Sequence, residues 1–416
     1  MPSQPILVLG TFVVVYALFS AKFEKSIITP PMIFAGFGMI ACPQVLGFLN
    51  VSITDEWIHL LTETTLILVL FIDASRIKLR ALRTDLGIPL RLLALGMPFT
   101  IALGGGVAAI VFADWGIWEA FLLAAILAPT DAALGQAVVS HPAVPLRIRQ
   151  TLNVESGLND GLALPLVVLF AGLGMAAAGN GHGDEPWLTF TARQLVIAPV
   201  VGIGLGLVGG GLIHWGRERH AMNEIFQRLS EVALALIIFQ YAEWAGGNGF
   251  GAVFLAGATF GNVYRKDSKH LELFVESTTQ ILVLVSFVLY GALMVWPAIE
   301  LVKPMAWLYG ALALTAIRMV PAYLSLAGSG LQPGTKLFVG WFGPRGLASV
   351  LFGLLVLVEY ELPHQQEIFA VVSITVLMSI ILHGVTALPL AQSYGKRMTG
   401  THEMAEVDEH PLRRVH

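Results

Sequence analysis

The stretch Ala128–Pro165, APTDAALGQAVVSHPAVPLRIRQTLNVESGLNDGLALP, decides how the chain is read. It sets Asp131, Glu155 and Asp160 in or beside apolar runs long enough to cross a bilayer. A bare carboxylate there is costly, so its presence implies a partner or a task. The stretch therefore reads as an ion-binding site. Composition places the site within a membrane: charged residues make up 12% and apolar residues 56% of 416 positions, against about a quarter charged in soluble domains. At about 20 residues per span there is room for roughly a dozen helices and no sizeable soluble domain. Cys42, the single cysteine, lies in an apolar run and cannot form an intrachain disulfide. The net charge of −4 points to no partner, and no basic stripe interleaved with aromatics suggests nucleic acid.

Outward from that stretch, the sequence divides into thirteen apolar runs bounded by polar or turn-forming residues: 5–21, 27–49, 57–73, 87–112, 116–139, 152–178, 188–214, 229–244, 249–264, 272–296, 304–326, 336–358 and 367–392. Charge supports the count. Alternate loops collect Lys22, Lys25, Arg76, Lys78, Arg80, Arg83, Arg147, Arg149, Arg217, Arg219, Arg228, Arg265, Lys266, Lys269, Lys336 and, past the last run, Lys396, Arg397, Arg413 and Arg414. The opposite loops hold only Lys303, while Arg91, Arg193, Arg318 and Arg345 fall inside runs. The positive-inside rule then predicts an odd number of spans, an outside N-terminus and a cytoplasmic C-terminus. The first run has no basic residue before it and Lys22 and Lys25 after it, the reverse of a signal peptide, and is expected to be a retained span. Residues 393–416 are expected to be a short tail with no appended nucleotide-binding or regulatory domain.

An internal repeat is visible at an offset of 214 residues, which carries Thr64, Thr65, Ile67, Leu68, Val69 and Leu70 onto Thr278, Thr279, Ile281, Leu282, Val283 and Leu284, and Asp131 onto Arg345. The short threonine match alone is what chance gives among apolar residues; the acid placed over a base is what argues for a repeat. The two threonine pairs lie seven runs apart, in the third and the tenth, so the copies would cross in opposite directions. The expectation is an all-α membrane protein of about thirteen helices, built from two inverted six-helix repeats joined by run 188–214. Matching runs are interrupted at Ala128-Pro129-Thr130-Asp131 and at Gly343-Pro344-Arg345-Gly346. Proline removes a backbone donor and collides with the preceding turn, so both helices should break near the midplane. Paired broken helices in corresponding halves point to a transporter's binding site. Asp131 is expected to compensate the positive half-helix ends and Arg345 the negative ones where the two breaks cross.

The run after the first break opens with Glu155-Ser156-Gly157-Leu158-Asn159-Asp160. On a helix Ser156 shares a face with Asp160, and Glu155 with Asn159. Carboxylate, hydroxyl and carbonyl oxygens suit a hard cation, and no His or Cys cluster suits zinc or copper. The carbonyl of Thr130, freed by the break, could close the cage. A simpler arrangement would salt-bridge Asp160 to another helix. The basic residues deep in runs are Arg318 and Arg345; if Arg318 pairs with Glu155 and Arg345 balances Asp131, Asp160 keeps no permanent partner. It must then hold a proton or a metal cation, and the two compete. Other signals are weaker. Glu63 and Glu231 read as packing or interface groups. Gly204, Gly206 and Gly209 spell GxGxxG with no preceding strand, so no nucleotide site is expected, and Gly202, Gly206 and Gly210 read as a close helix contact. His141, His364 and His383 sit near span ends, where an interfacial role is commoner than pH sensing.

With these residues in view, LAPTDAALGQAVV, NVESGLNDG, GNGFGAVFLAGATFGN, AIRMVPAYL, WFGPRGLASVLF and LHGVTALPL resemble the monovalent cation:proton antiporter-1 family, the NhaP-type bacterial relatives of animal sodium/proton exchangers. The resemblance spans nearly the whole chain. It implies an ion-transporting core over 87–178 and 304–392, a scaffold over 1–73 and 229–296 that forms a homodimer, a linker helix at 188–214, and elevator-like alternating access in a bacterial inner membrane. It also implies a cation at Asp160, Ser156, Glu155 and the Thr130 carbonyl, a Glu155–Arg318 pair, and supporting roles for Asn159, Asp131 and Arg345. The Asn159-Asp160 pair, where electrogenic relatives carry two aspartates, implies one cation exchanged for one proton; the resemblance does not choose between sodium and potassium, and the expected cargo is Na+, with Li+ also accepted and no cofactor. Potassium/proton exchange is the near alternative. A cation channel or ion sensor is the alternative of another class, disfavoured because no repeated filter is present, and no residue pair requires an enzyme.

Overall fold

The computed structural model describes residues 4–23, 26–52, 56–75, 87–131, 134–179, 187–263 and 269–398. Among them the regular structure is helical throughout. The helices are α1 (Gln4–Phe23), α2 (Pro30–Ala41), α3 (Glu56–Ser75), α4 (Gly87–Val111), α5 (Ile117–Ile126), α6 (Gln136–Val139), α7 (Leu146–Ala177) and α8 (Trp187–Glu218). They continue as α9 (Glu224–Trp244), α10 (Gly249–Val263), α11 (Lys269–Leu293), α12 (Val295–Leu301), α13 (Pro304–Ser325), α14 (Pro333–Trp341), α15 (Leu347–Glu359) and α16 (Gln365–Met398). Prolines open α2, α13 and α14, where a missing N–H costs nothing. Asn223 caps α9 by accepting the Phe226 N–H at 3.0 Å.

Each of the thirteen apolar runs falls on one of these helices or on a broken pair. By length and composition, eight helices can cross a membrane. The difference has physical causes. The runs at 116–139 and 336–358 are split at their prolines into α5 with α6 and α14 with α15, and α2 and α10 are short. Helix α3 carries Glu56, Glu63 and Asp73 within its length. Apolarity also misplaced several ends. Helix α2 stops at Ala41 because residues 42–49 form turns, α7 begins at Leu146, and α16 runs to Met398, past the boundary at residue 392.

Helices pack into two groups. Helix α5 lies between α4 and α7; α16 runs against α12, α13 and α15; and α14 rests on the second half of α13. In the other group α10 packs against α3, α8 and α9, and α2 against α11. Helix α7 meets α3 and α10 and so borders both. The contact of α8 with α10 is close because glycines face it: a Cβ at Gly202 or Gly206 would strike the backbone of Ala252 or Ala256, and one at Gly210 would press on Phe260. Small residues are what let helices approach in a bilayer, where hydrophobic burial gives no drive.

Candidate ion-binding site

Helix α5 ends at Ile126, where the Leu127 N–H closes on the carbonyls of Leu123 and Ala125. The Arg345 side chain reaches across from the second break, where one Nη1 donates to Ala128 O and, at 3.0 Å, to Pro129 O. The opposite exchange completes the crossing. Asp131 N donates to Pro344 O at 2.8 Å, and Asp131 Oδ2 accepts the N–H of Leu347, first residue of α15, at 2.9 Å. A cation thus sits at the negative end of one half-helix and an anion at the positive end of another. Arg345 is only 1% exposed, so this guanidinium is held by carbonyls rather than by water. The approach requires glycine on either side: a Cβ at Gly346 would strike the Asp131 carboxylate, and one at Gly343 the Arg318 guanidinium.

Between Pro129 and Asp131, both engaged with the other break, sits Thr130. Helix α7 presents two groups to it. Ser156 Oγ donates to Thr130 O at 2.5 Å, and Asn159 Nδ2 donates to Thr130 Oγ1 at 2.7 Å. One turn away on α7, buried Glu155 pairs with buried Arg318 of α13, Oε1 to Nη2 at 2.6 Å. The structure therefore gathers all eight predicted residues at the crossing and the α7 face beside it.

Asp160 differs from the other acids. It is 8% exposed, and its Oδ1 is buried with no hydrogen-bond partner. Asn159 Oδ1 is in the same condition. Unpartnered buried acceptors are rare in folded proteins and each calls for an explanation. A small cavity reaches Thr130, Asp131 and Ser156, walled by Val138, Leu152 and Phe342. The donor set is oxygen only. Oxygen donors of this kind suit a hard cation or a proton.

Two residues escaped sequence reading, and the place of a third, His383, was misread. Asp73, near the end of α3, acts electrostatically on Asp160 together with Asp131. Glu119, in the first turn of α5, accepts the N–H groups of Gly116 and His364 at 2.9 Å and pairs with His364 Nδ1 at 2.9 Å, tying the start of α5 to the start of α16. His383 is not at a span end: it is 1% exposed, well inside α16. Runs of apolar residues reported span ends poorly there because α16 is longer than the run that signalled it.

The family model described as sodium/hydrogen exchanger, transmembrane, matches residues 9–393. The chain belongs to that family. Sodium/hydrogen exchangers are multi-pass transporters rather than enzymes. The exchanger chain is 26% identical over 395 residues to the K(+)/H(+) antiporter NhaP of Alkalimonas amylolytica, covering 93% of this chain and 66% of the relative. It is 25% identical over 345 residues to the K(+)/H(+) antiporter NhaP2 of Shewanella sp. (strain MR-4), covering 80% and 57%. With the Na(+)/H(+) antiporter 2 of Zygosaccharomyces rouxii it shares 29% over 246 residues, 55% of this chain and 30% of that one. The chain thus spans less than two thirds of the length of these curated relatives. The sodium proton antiporter MjNhaP1 from Methanocaldococcus jannaschii, solved at pH 8, superimposes with a TM-score of 0.78 over 95% of this chain and 99% of its own, at 21% identity. That likeness establishes the antiporter fold.

Proposed function

We propose that this exchanger is an electroneutral antiporter that trades one Na+ or Li+ for one proton at Asp160. The observation that carries the reading is the Asp160 carboxylate itself, buried, with an oxygen that nothing in the described residues satisfies. An ionised acid in a medium of low dielectric is stabilised only by a cation or by protonation. Occupancy by one excludes the other, and that mutual exclusion is the coupling. Ser156 Oγ and the Thr130 carbonyl complete the cation's oxygen shell. Glu155 contributes a carboxylate whose charge Arg318 already balances. Asn159 cannot ionise, which supports one charge for one charge. Falling pH should raise the cation KM, because protons then occupy more of the same carboxylate.

The two packing groups support a division into a moving core, 87–178 with 304–392, and a scaffold, 1–73 with 229–296, joined through 188–214 and paired with a second copy in a bacterial inner membrane. Elevator-like motion of the core would present Asp160 to either side in turn, serving pH and sodium homeostasis. Replacing Asp160 by Asn tests the reading. The protein should fold, and exchange in everted vesicles should vanish; pH-dependent exchange that persisted would remove Asp160 from the mechanism. Potassium is the competing cargo, favoured by the printed activities of the NhaP and NhaP2 relatives. Proteoliposomes loaded with a pH gradient and challenged with Na+, Li+ or K+ separately decide it by which ion collapses the gradient.

A further inference from the structure

One side of the second break is held by a part of the molecule with no place so far in the exchange. Helix α16 turns Ser379, His383 and Thr386 toward it. Ser379 Oγ accepts the backbone N–H of Arg345 at 2.7 Å and lies 3.2 Å from His383 Nδ1. His383 Nε2 lies 3.0 Å from the carbonyl of Trp341, the last residue of α14. Both ring nitrogens face carbonyls, Nε2 that of Trp341 and Nδ1 that of Ser379 at 3.1 Å, and the tautomer with hydrogen on Nε2 is the one that serves Trp341 and leaves Nδ1 for the Ser379 hydroxyl. The other nitrogen can then accept from the Ser379 hydroxyl. In that tautomer the chain of bonds runs in one sense: Arg345 N–H to Ser379, Ser379 O–H to His383, His383 N–H to Trp341 O. Thr386 adds a brace by accepting the Trp341 indole N–H at 3.1 Å.

These bonds span the break. They join the carbonyl where α14 stops, which also takes the Gly343 N–H at 2.8 Å, to the Arg345 amide just before α15 resumes. From there the break connects to the first one: Arg345 continues the path to Ala128 and Pro129, and Pro344 O takes the N–H of Asp131. Thr130 is the residue between those two anchors. We propose that His383, acting through Ser379 and Arg345, is a positioning residue that sets the direction of the Thr130 carbonyl and hence the strength of cation binding. The inference rests on the reading of Thr130 O as a ligand of the transported ion. Groups that orient first ligands typically change metal affinity by about 10–100-fold when removed.

The role has a kinetic signature. A misaimed Thr130 carbonyl weakens the cation but not the proton on Asp160, so KM rises by one factor at every pH while kcat and the pH midpoint hold. A role in folding alone would lower the yield or the thermal midpoint and leave KM untouched. Ser379→Ala, His383→Ala and His383→Gln, purified and placed in proteoliposomes with Na+ as the probe, are to be compared with wild type across the active pH range. Both alanine variants should raise KM about tenfold or more. Glutamine, whose amide donates to Trp341 and accepts from Ser379, should restore most of the loss. If His383→Ala fails to fold, Ser379→Ala decides alone. Wild-type KM in folded Ser379→Ala, with Asp160→Asn inactive, overturns the positioning role and spares the site; exchange surviving in Asp160→Asn overturns both.

Discussion

Glu155 and Arg318 show what a single buried pair demands of its surroundings. Each is almost fully enclosed, and their charged atoms meet at 2.6 Å. Removing one charge strands the other where water cannot reach it, a cost of about 3–5 kcal/mol. Glu155→Gln should therefore lower the thermal midpoint in detergent well below that of wild type, and the double variant Glu155→Leu with Arg318→Leu should regain part of it. An unchanged midpoint in the single variant would mean that the charges are solvated. Asn159→Asp makes a different prediction. Asn159 donates to the Thr130 hydroxyl; an aspartate there accepts instead, so Thr130 must turn its hydroxyl round. Exchange should stay electroneutral by a membrane-potential dye unless the new acid titrates in the transport range. At this scale much was legible. Acids inside apolar runs announced Asp131, Glu155 and Asp160, and two deep arginines limited who could neutralise whom. Asp73 was not legible, because it lies at the end of its run beside Arg76 and reads as an ordinary span-end acid.

At the scale of the element, the two breaks work because prolines end one helix and glycines admit the other. A methyl group at Gly346 has nowhere to go but the Asp131 carboxylate. Gly346→Ala should separate the breaks and abolish exchange, with loss of transport exceeding loss of folded protein in a size-exclusion assay. The α8–α10 contact obeys a milder rule. Gly206→Leu would push apart two backbones that touch, at a cost of about 1–3 kcal/mol, and should lower the thermal midpoint while leaving the cation KM unchanged. Pro129 and Pro344 made the breaks readable from sequence, and the four-residue glycine spacing made the close contact readable. Helix ends were not. The turns after Ala41 and the extension of α16 to Met398 depend on capping and packing, which apolar character does not encode. The brevity of α6, only 4 residues, was hidden for the same reason.

Across the whole molecule, α7 is where the two packing groups meet. Gly161 of α7 faces the ring of Phe254 on α10 so closely that a Cβ there would overlap it. Cysteines at both positions, in a Cys42→Ser background, fall within the reach of a disulfide. If the core moves against the scaffold, oxidation should stop exchange and a reductant should restore it; undiminished exchange in the oxidised protein would show that α7 and α10 travel together. Which helices would be neighbours was not legible in one sequence, since thirteen apolar runs admit many packings and only the repeat narrowed them. The clasp between the breaks has one more consequence. It is made largely of main-chain atoms, each strand end holding the other, so neither can slacken alone. On the proposed mechanism the ion would be carried in a stiff cradle that shifts as a unit, and slippage without a counter-ion would need the cradle to spring open. How firmly two interrupted helices grip each other would then govern how faithfully cargo and proton are kept in step.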